Sequence, residues 1–275
     1  MYETMDFYVL YNRFLKKEGY QTLPRRPLEK RKLRYEDVYP VLYLKYRLSR
    51  QAERSNIKHL VIDEMQDYSR LQYLIIRRMF SCKMTILGDR AQTMADQQQD
   101  VLQFLPGIFG KDLRRIEMRK SYRNTVEIAS YAANLIGVTD LELFERHGMP
   151  VLERDVTDLE AALREAVDTL FPDEKTYETA AVIVPDEKTA ERAYLILREI
   201  LAEKDFDCGK RLSWLNRDSS SFKKGLTVTT FYLAKGLEFD QVFSIFPKDE
   251  KREIMMQAQY IAATRALHEL RVYHI

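Results

Sequence analysis

Acidic residues follow two short apolar runs of this chain, and their types and positions suggest a definite chemistry. Residues 59–62 are followed by Asp63 and Glu64, and residues 84–88 are followed by Asp89. An apolar run rich in β-branched residues that stops at an acid is typical of a buried parallel strand that delivers a polar group to a ligand crevice. There an Asp can hold Mg²⁺, and a neighbouring Glu can polarise an attacking water. The Asp63–Glu64 pair therefore indicates the acids of a nucleotide hydrolase.

These acids have a second interpretation, because an Asp at a strand end is used equally often to cap the next helix. Two glutamines and a further acid favour the catalytic interpretation. Gln66 and Asp67 follow the first acids, and Gln92 lies just beyond Asp89, where an amide could sense a terminal phosphate. However, the phosphate-binding sequence Gly-x-x-x-x-Gly-Lys-Ser/Thr occurs nowhere in the 275 residues.

The elements that would position these residues alternate along the chain, since runs with strand character are separated by runs with helical spacing. In the first part, we predict helices at 1–20, 36–54 and 69–80 and strands at 59–63, 84–88 and 113–118. In the second part, we predict helices at 126–135, 159–170, 186–203 and 254–267 and strands at 180–184, 226–230, 241–246 and 270–274. Residues 138–158 and 205–225 are expected to be irregular. This order predicts an α/β fold with parallel sheets and a boundary between two lobes near residues 118–121.

The composition fits one large or two ordinary domains of a globular protein. Apolar residues make up 45% of the chain, and 44 basic and 42 acidic residues leave a net charge of +2, which neither indicates nor excludes nucleic-acid binding. Cys82 and Cys208 form no ligand cluster and are expected to be reduced thiols in a cytoplasmic protein. No signal peptide is recognisable, and no apolar run approaches about 18 residues, so no membrane span is expected.

Two further features stay open at the level of sequence. The basic segment 24–34 is either a solvated linker or a contact to phosphates. Trp214, in the predicted loop, could cover a surface or meet a partner.

Five segments, taken together, resemble the ordered motifs of superfamily 1 helicases of the UvrD/Rep type. Residues 63–67 (Asp-Glu-Met-Gln-Asp) and 88–92 (Gly-Asp-Arg-Ala-Gln) resemble motifs II and III. Residues 121–124 (Ser-Tyr-Arg-Asn) resemble motif IV, 230–239 resemble motif V, and 260–266 resemble motif VI. The resemblance implies an ATP-dependent motor built from RecA-like lobes of the P-loop NTPase type. Residues 1–119 would be a partial first lobe, and residues 120–275 a complete second lobe.

Within that group the chain is most similar to the HelD-like branch, whose members act on RNA polymerase. The similarity lies in the segment 33–45 and in Tyr232, where UvrD-like enzymes usually carry His. It lies also in the gap of about 100 residues between motifs IV and V, which is too short for the large inserted domain of UvrD and Rep.

The resemblance implies catalytic roles for five residues. Asp63 would hold Mg²⁺, Glu64 would activate water, and Gln92 would couple the γ-phosphate to movement. Arg123 and Arg265 would be arginine fingers, each able to raise the rate about 10³–10⁵-fold by neutralising charge in the transition state. Arg123 has a plainer alternative, which is an ion pair with Glu127 one helical turn away.

The resemblance also implies binding roles for five residues. Tyr122 would stack on the adenine of ATP, and Gly236 and Glu238 would approach the ribose and phosphates. Thr230 and Tyr232 would face the nucleic acid, and Tyr232 could stack on a base. Tyr122 and Tyr232 could instead be aromatic residues of the core. The string Lys-Gly-Leu-Glu-Phe at 235–239 is harder to explain by packing, because its Gly implies a tight turn or a close ligand.

We therefore expect the carboxy-terminal portion of an ATP-dependent DNA helicase or translocase, which needs ATP and Mg²⁺ and is inactive without a phosphate loop. Its expected partners are nucleic acid, with DNA favoured, RNA polymerase, and a missing amino-terminal part of the motor. The alternative is a non-catalytic module, derived from such a helicase, that binds nucleic acid or RNA polymerase. A subunit of a DNA-repair nuclease-helicase is a third possibility, although no separate nuclease residues support it.

Overall fold

In a computed structural model of the protein, the chain forms two compact units, Met1–Arg115 and Ile116–Ile275. The structure describes residues 6–49, 54, 56–89, 92, 101–110, 113–118, 120–139, 142–170, 177–203, 211–219, 224–248 and 253–275. Arg90, Ala91 and Cys208, which were considered above, lie outside these ranges. None of the helices within them combines the length and apolar character that a membrane crossing requires.

A strand–helix–strand series forms the centre of the first unit. Its described helices are α1 (Phe7–Lys17), α2 (Tyr35–Leu48), α3 (Arg70–Met79) and α4 (Val101–Phe109), and its strands are β1 (His59–Ile62) and β2 (Lys83–Ile86). The strands pair in parallel with Ile62 opposite Ile86, so their carboxyl ends lie side by side. The predicted series is confirmed. Helix α4 was not predicted, since Pro106 and Gly107 interrupt its helical signal.

Tyr73 of α3 organises the core beneath the acids. It is fully buried, and its ring centroid lies 5.7, 5.9 and 6.2 Å from those of Tyr68, Phe104 and Phe109. Its hydroxyl donates to the backbone oxygen of Met65 at 3.1 Å, and burial raises its pKa. One aromatic residue thus fills the core and fixes the turn that follows Glu64.

Two arginines of the basic segment 24–34 are engaged inside the first unit. Arg31 pairs with Asp6 at 2.8 Å and lies 4.8 Å from the ring centroid of Tyr8. Arg34 pairs at 2.7 Å with Asp37, a carboxylate only 2% exposed. For these two side chains the structure shows an intramolecular role, since each neutralises an acid of the same unit.

A six-stranded parallel sheet dominates the second unit. A separate short pair, β3 (Lys120–Ser121) and β4 (Glu142–Leu143), precedes it in the chain. The sheet contains β5 (Leu152–Asp155), β6 (Thr179–Val184), β7 (Leu212–Trp214), β8 (Gly225–Thr230), β9 (Phe239–Phe246) and β10 (Ala266–His274). Their order is β5-β10-β9-β6-β8-β7, and every pairing is parallel. The predicted α/β fold with a parallel sheet is confirmed.

The helices that accompany this sheet are α5 (Val126–Leu135), α6 (Leu159–Asp168), α7 (Glu187–Ala202) and α8 (Glu253–Ala263). Capping acids and a hydroxyl set the starts of the first three. The side chains of Thr125, Asp158 and Asp186 each accept a hydrogen bond from the backbone N–H three residues on. Leu163 of α6 and Leu197 of α7 pack against the sheet in a fully buried apolar core. This is why the apolar run of β6 could be recognised in the sequence.

Three predictions of local structure were wrong. Residues 113–118 form no strand; Leu113, Ile116 and Met118 are all exposed, so the segment lacks the partner strand that its composition needs. The supposedly irregular segment 138–158 contains β4 and β5, and the segment 205–225 contains β7. These strands are two to four residues long and are held by pairing with neighbours, a contribution that their own composition does not reveal.

Candidate functional site

The first group of candidate residues lies where β1 ends. Asp63 is exposed, and its Oδ1 accepts the backbone N–H of Glu64 at 2.8 Å. Glu64 has φ 51° and ψ 50°, and among the described residues it is the one non-glycine with a positive φ. Such a conformation is sparsely populated by side-chain-bearing residues and is found preferentially at functional sites.

Gln66 joins the two acidic strand ends. It is only 7% exposed, its Nε2 donates to Oε2 of Glu64 at 2.5 Å, and its Oε1 accepts the backbone N–H of Asp89 at 3.0 Å. One buried amide therefore orients the proposed general base and fixes it to the end of β2. Sequence analysis selected Gln66 as support for the pattern but did not foresee this bridge.

Close backbone contact holds the same two turns together. The N–H of Met65 donates to the oxygen of Leu87 at 2.8 Å. A Cβ on Gly88 would lie 2.4 Å from Cγ of Met65 and 2.7 Å from its backbone nitrogen, distances that no side chain tolerates. Glycine is required here because the two turns approach each other without space for a side chain.

Gln92 extends this group. It is 8% exposed, and its Nε2 donates to Oδ2 of Asp89 at 3.0 Å. The structure thus brings Glu64, Gln66, Asp89 and Gln92 into one hydrogen-bonded series at the ends of two parallel strands. Such an edge is where ligands bind in open α/β sheets.

The donor set at this edge is compatible with Mg²⁺ but not with a metal held by protein alone. No group of three or more His, Cys, Asp or Glu side chains within the described ranges is arranged to hold a metal ion. Mg²⁺ characteristically uses one or two carboxylates together with waters and substrate phosphates. The exposed carboxylate of Asp63 fits that requirement as a single protein ligand.

The second group lies in the second unit and contains Arg123. Its Nε pairs with Oε1 of Glu238 at 2.7 Å, with side chains 48% and 41% exposed. Two residues assigned separately from the sequence are therefore direct partners. The alternative pairing with Glu127 is wrong, because that carboxylate accepts hydrogen bonds from Nδ1 of His147 at 3.0 Å and from the backbone N–H of Gly148 at 2.9 Å.

Arg265 is enclosed by the second unit. It is 1% exposed, and its guanidinium donates to the backbone oxygens of Ile261 at 3.2 Å and Leu237 at 3.4 Å and to Oγ1 of Thr264 at 3.1 Å. Gly236, next to one of these acceptors, is exposed with φ 76°, as the tight turn anticipated from the sequence requires. The structure brings Arg265 to the segment that resembles motif V but leaves its side chain buried.

Sequence analysis missed the role of Asn124. This residue is 7% exposed, and its Nδ2 donates to the backbone oxygens of Thr264 at 3.3 Å and Ala266 at 2.6 Å, on either side of Arg265. It therefore connects the turn that carries Arg123 to the one that carries Arg265. The available signal was its place in Ser-Tyr-Arg-Asn, but a bond across 140 residues is not visible in sequence.

The aromatic candidates have different surroundings. Tyr122 is 59% exposed, which excludes the core interpretation. Tyr232 is partly buried and packs edge-on against Phe231 at 5.3 Å. Its proximity raises the pKa of the Arg217 guanidinium, which pairs with Glu187 at 2.8 Å. Thr230 is 1% exposed with no hydrogen-bond partner for its hydroxyl among the described residues, so it is not presented at the surface.

Comparison with known proteins adds a family match to this geometry. Residues 2–94, about a third of the chain, match the model of the UvrD/REP helicase N-terminal domain. A search of curated proteins found no match. The family match supports kinship of the amino-terminal third with UvrD-like helicases.

Several solved structures are also similar. The C-terminal domain of a possible DNA helicase from Lactobacillus plantarum WCFS1 is 24% identical, with a TM-score of 0.44 over 56% of this chain and 88% of that one. The PRRSV helicase is 17% identical, with a TM-score of 0.44 over 79% of this chain and 35% of that one. Arterivirus nonstructural protein 10, a helicase solved with DNA, is 15% identical, with a TM-score of 0.44 over 81% and 41%. The chain spans less than half the length of either viral protein.

Proposed function

We propose that this chain is the carboxy-terminal portion of a UvrD-like helicase or translocase, which couples ATP hydrolysis to movement on nucleic acid, DNA foremost, or to remodelling of RNA polymerase. The observation that carries the proposal is the bridge of Gln66 between Glu64 and Asp89. A general base must be held in a fixed orientation, and its position must respond to the nucleotide for hydrolysis to drive motion. The family match over residues 2–94 supports the same assignment.

The first unit would supply the hydrolytic groups. Glu64, oriented by Gln66, would accept a proton from the water that attacks the γ-phosphate. Mg²⁺, when held by Asp63 and the phosphates, would neutralise charge on the nucleotide. Gln92 would sense the terminal phosphate and pass its loss to the end of β2 through its hydrogen bond with Asp89.

The second unit would supply the cationic groups and the contacts to base, ribose and nucleic acid. Arg123 would leave Glu238 and bind the charge that develops on phosphate. The free-energy cost of breaking the pair is small, because both side chains are nearly half exposed. Glu238 would then be free to approach the ribose beside Gly236. Tyr122 would stack on the adenine, and Tyr232 would stack on a base of the polymer. Arg265 would act after its side chain is released from the carbonyls that now enclose it.

ATP turnover tests this proposal, measured for the chain alone and for the chain supplied with a UvrD-like segment that carries the phosphate-binding sequence Gly-x-x-x-x-Gly-Lys-Ser/Thr. We expect turnover only in the second case, abolished by Glu64→Gln and unchanged by Glu191→Gln, which alters an exposed acid of α7 in the same way. If the chain alone hydrolyses ATP in a way that depends on Glu64, the proposal that it is only a portion of the motor is wrong. No turnover in either case would contradict the catalytic role.

The enclosure of Arg265 favours a second candidate, a non-catalytic module that binds nucleic acid or RNA polymerase, because a buried arginine does not reach phosphate. Pull-down with RNA polymerase, with and without nucleotide, separates the two. Binding that is the same in both conditions supports the module, and binding that changes with nucleotide supports the motor.

A further inference from the structure

A short segment outside all the motifs forms backbone hydrogen bonds with the chain before Tyr122 and after Arg123. We call residues 142–148 the strap. Its strand β4 pairs with β3, and the N–H of Phe144 donates to the oxygen of Ser121 at 3.1 Å. Further on, the oxygen of Arg146 accepts the N–H of Val126 at 2.9 Å. The strap therefore holds the backbone before and after the two candidate residues.

Phe144 is the strap residue whose side chain faces the candidate site. Its ring lies 5.5 Å from that of Tyr122, with a tilt of 39°. Nζ of Lys120 lies 5.5 Å from the Tyr122 ring centroid and 6.0 Å from that of Phe144, within the range of cation–π attraction. Phe144 is 45% exposed, so packing of the protein interior does not explain the pair.

We propose that Phe144 is a positioning residue for a nucleotide base: together with Lys120 it holds the ring of Tyr122 in the orientation in which a base stacks on it. The inference rests on the proposed function, in which Tyr122 contacts the adenine. It adds a determinant of base binding from outside the motifs.

The physical reason is the freedom of an exposed ring. Alone on the surface, a tyrosine 59% exposed would populate several rotamers, and a stacking base would have to select one of them. Packing against Phe144 makes that selection before the ligand arrives. Because ordering one side chain on binding lowers affinity by about 2- to 10-fold, loss of Phe144 should weaken binding of the base by that factor.

Ligand binding by the full chain, followed by NMR, tests the inference with Mg·ATP and with Mg·tripolyphosphate, which has no base. Saturation transfer from protein to the adenine C8 proton reports on the base, and ³¹P signals report on both ligands. We expect Phe144→Ala to weaken ATP binding about 2- to 10-fold and to leave tripolyphosphate binding unchanged. Phe144→Tyr should restore the affinity for ATP. Met149→Ala, which removes another exposed apolar side chain close in sequence to the strap, should have no effect.

Each outcome has a distinct meaning. If Phe144→Ala leaves ATP affinity unchanged, or weakens both ligands equally, the positioning role is wrong while the proposed function stands. If the ³¹P signals show that ATP binds but the unaltered chain transfers no saturation to adenine, the proposed base contact of Tyr122 fails, and the inference fails with it. The variant is expected to fold, because Phe144 is nearly half exposed.

Discussion

At the scale of single residues, Arg123 and Glu238 form an ion pair that should contribute little to the free energy of unfolding. Both side chains are nearly half exposed at 2.7 Å separation, so solvent screens their attraction. We expect a double-mutant cycle with Arg123→Ala and Glu238→Ala, measured by urea denaturation, to give a coupling of about 0.2–1 kcal/mol. A coupling of several kcal/mol would show that the pair is structural, and it would argue against exchange of Glu238 for phosphate.

Gln66 should behave in the opposite way, because it is buried and hydrogen-bonded at both ends of its amide. Replacement by Leu leaves the partly buried N–H of Asp89 without its acceptor, which costs about 1–3 kcal/mol of the free energy of unfolding. Chemical denaturation measures the loss. Gln103→Leu, at an exposed position of α4, is the matched control and should change stability by less than about 0.5 kcal/mol. Equal losses in the two variants would mean that the bridge contributes nothing.

Residues of this kind mark the limit of what the sequence could predict. Asp63, Glu64 and Gln92 were recognised because each follows a strand that its own composition reveals. The bridge of Gln66 and the bonds of Asn124 to residues 264 and 266 were not, because they depend on strand register and on contacts distant in sequence. For the same reason the partner of Arg123 was unknown until the fold placed Glu238 beside it.

At the scale of elements, two glycines should respond oppositely to the same substitution. Gly88→Ala forces a Cβ to within 2.7 Å of the Met65 backbone nitrogen where β1 and β2 end, so the backbone must shift, at about 1–3 kcal/mol. Gly107→Ala meets no atom within 4 Å and lies in α4, where Ala is favoured by up to about 1 kcal/mol. Thermal or urea unfolding of both variants checks the sign. A Gly88→Ala protein as stable as the parent would show that the two turns are not tightly joined.

The stability that Glu127 contributes by joining the strap to α5 should depend on pH. The hydrogen bond from His147, followed by backbone N–H groups including that of Gly148, lowers the pKa of Glu127 from 4.5 to about 2. A lowered pKa in the folded state means that ionised Glu127 favours folding, so its contribution is complete above about pH 4.5 and is lost as the pH falls toward 2. The difference in unfolding free energy between the parent and Glu127→Gln should therefore shrink across that interval. A difference that does not change with pH would contradict the assignment.

Elements also show where local composition is enough and where it is not. Strand β6 was predicted because all but its first residue are buried in the sheet, and the start of α5 because Thr125 caps it. The predicted strand at 113–118 failed because strand propensity alone does not supply a partner. The short strands β4, β5 and β7 were missed for the converse reason, since pairing with neighbours holds them.

At the scale of the whole molecule, the two units differ in how completely they are built. In the described residues, the second has a six-stranded sheet with a large apolar core, and the first has two paired strands and smaller cores. A unit with its own core can unfold independently. We therefore expect two transitions in calorimetry of the full chain, with the first unit unfolding at the lower temperature.

One substitution in each core assigns the transitions. Tyr73→Ala removes the central side chain of a first-unit core and should lower the unfolding free energy of the first unit by about 3–5 kcal/mol. The transition of the first unit should then occur at a lower temperature, and that of the second unit should not move. Leu163→Ala leaves a cavity beside the large sheet and should lower the unfolding free energy of the second unit by about 2–5 kcal/mol. The transition of the first unit should not move. A single transition that both substitutions shift equally would mean that the units fold as one. In that case the hydrolytic and cationic groups would belong to one cooperative body, and coupling between them would not require independent movement of the units.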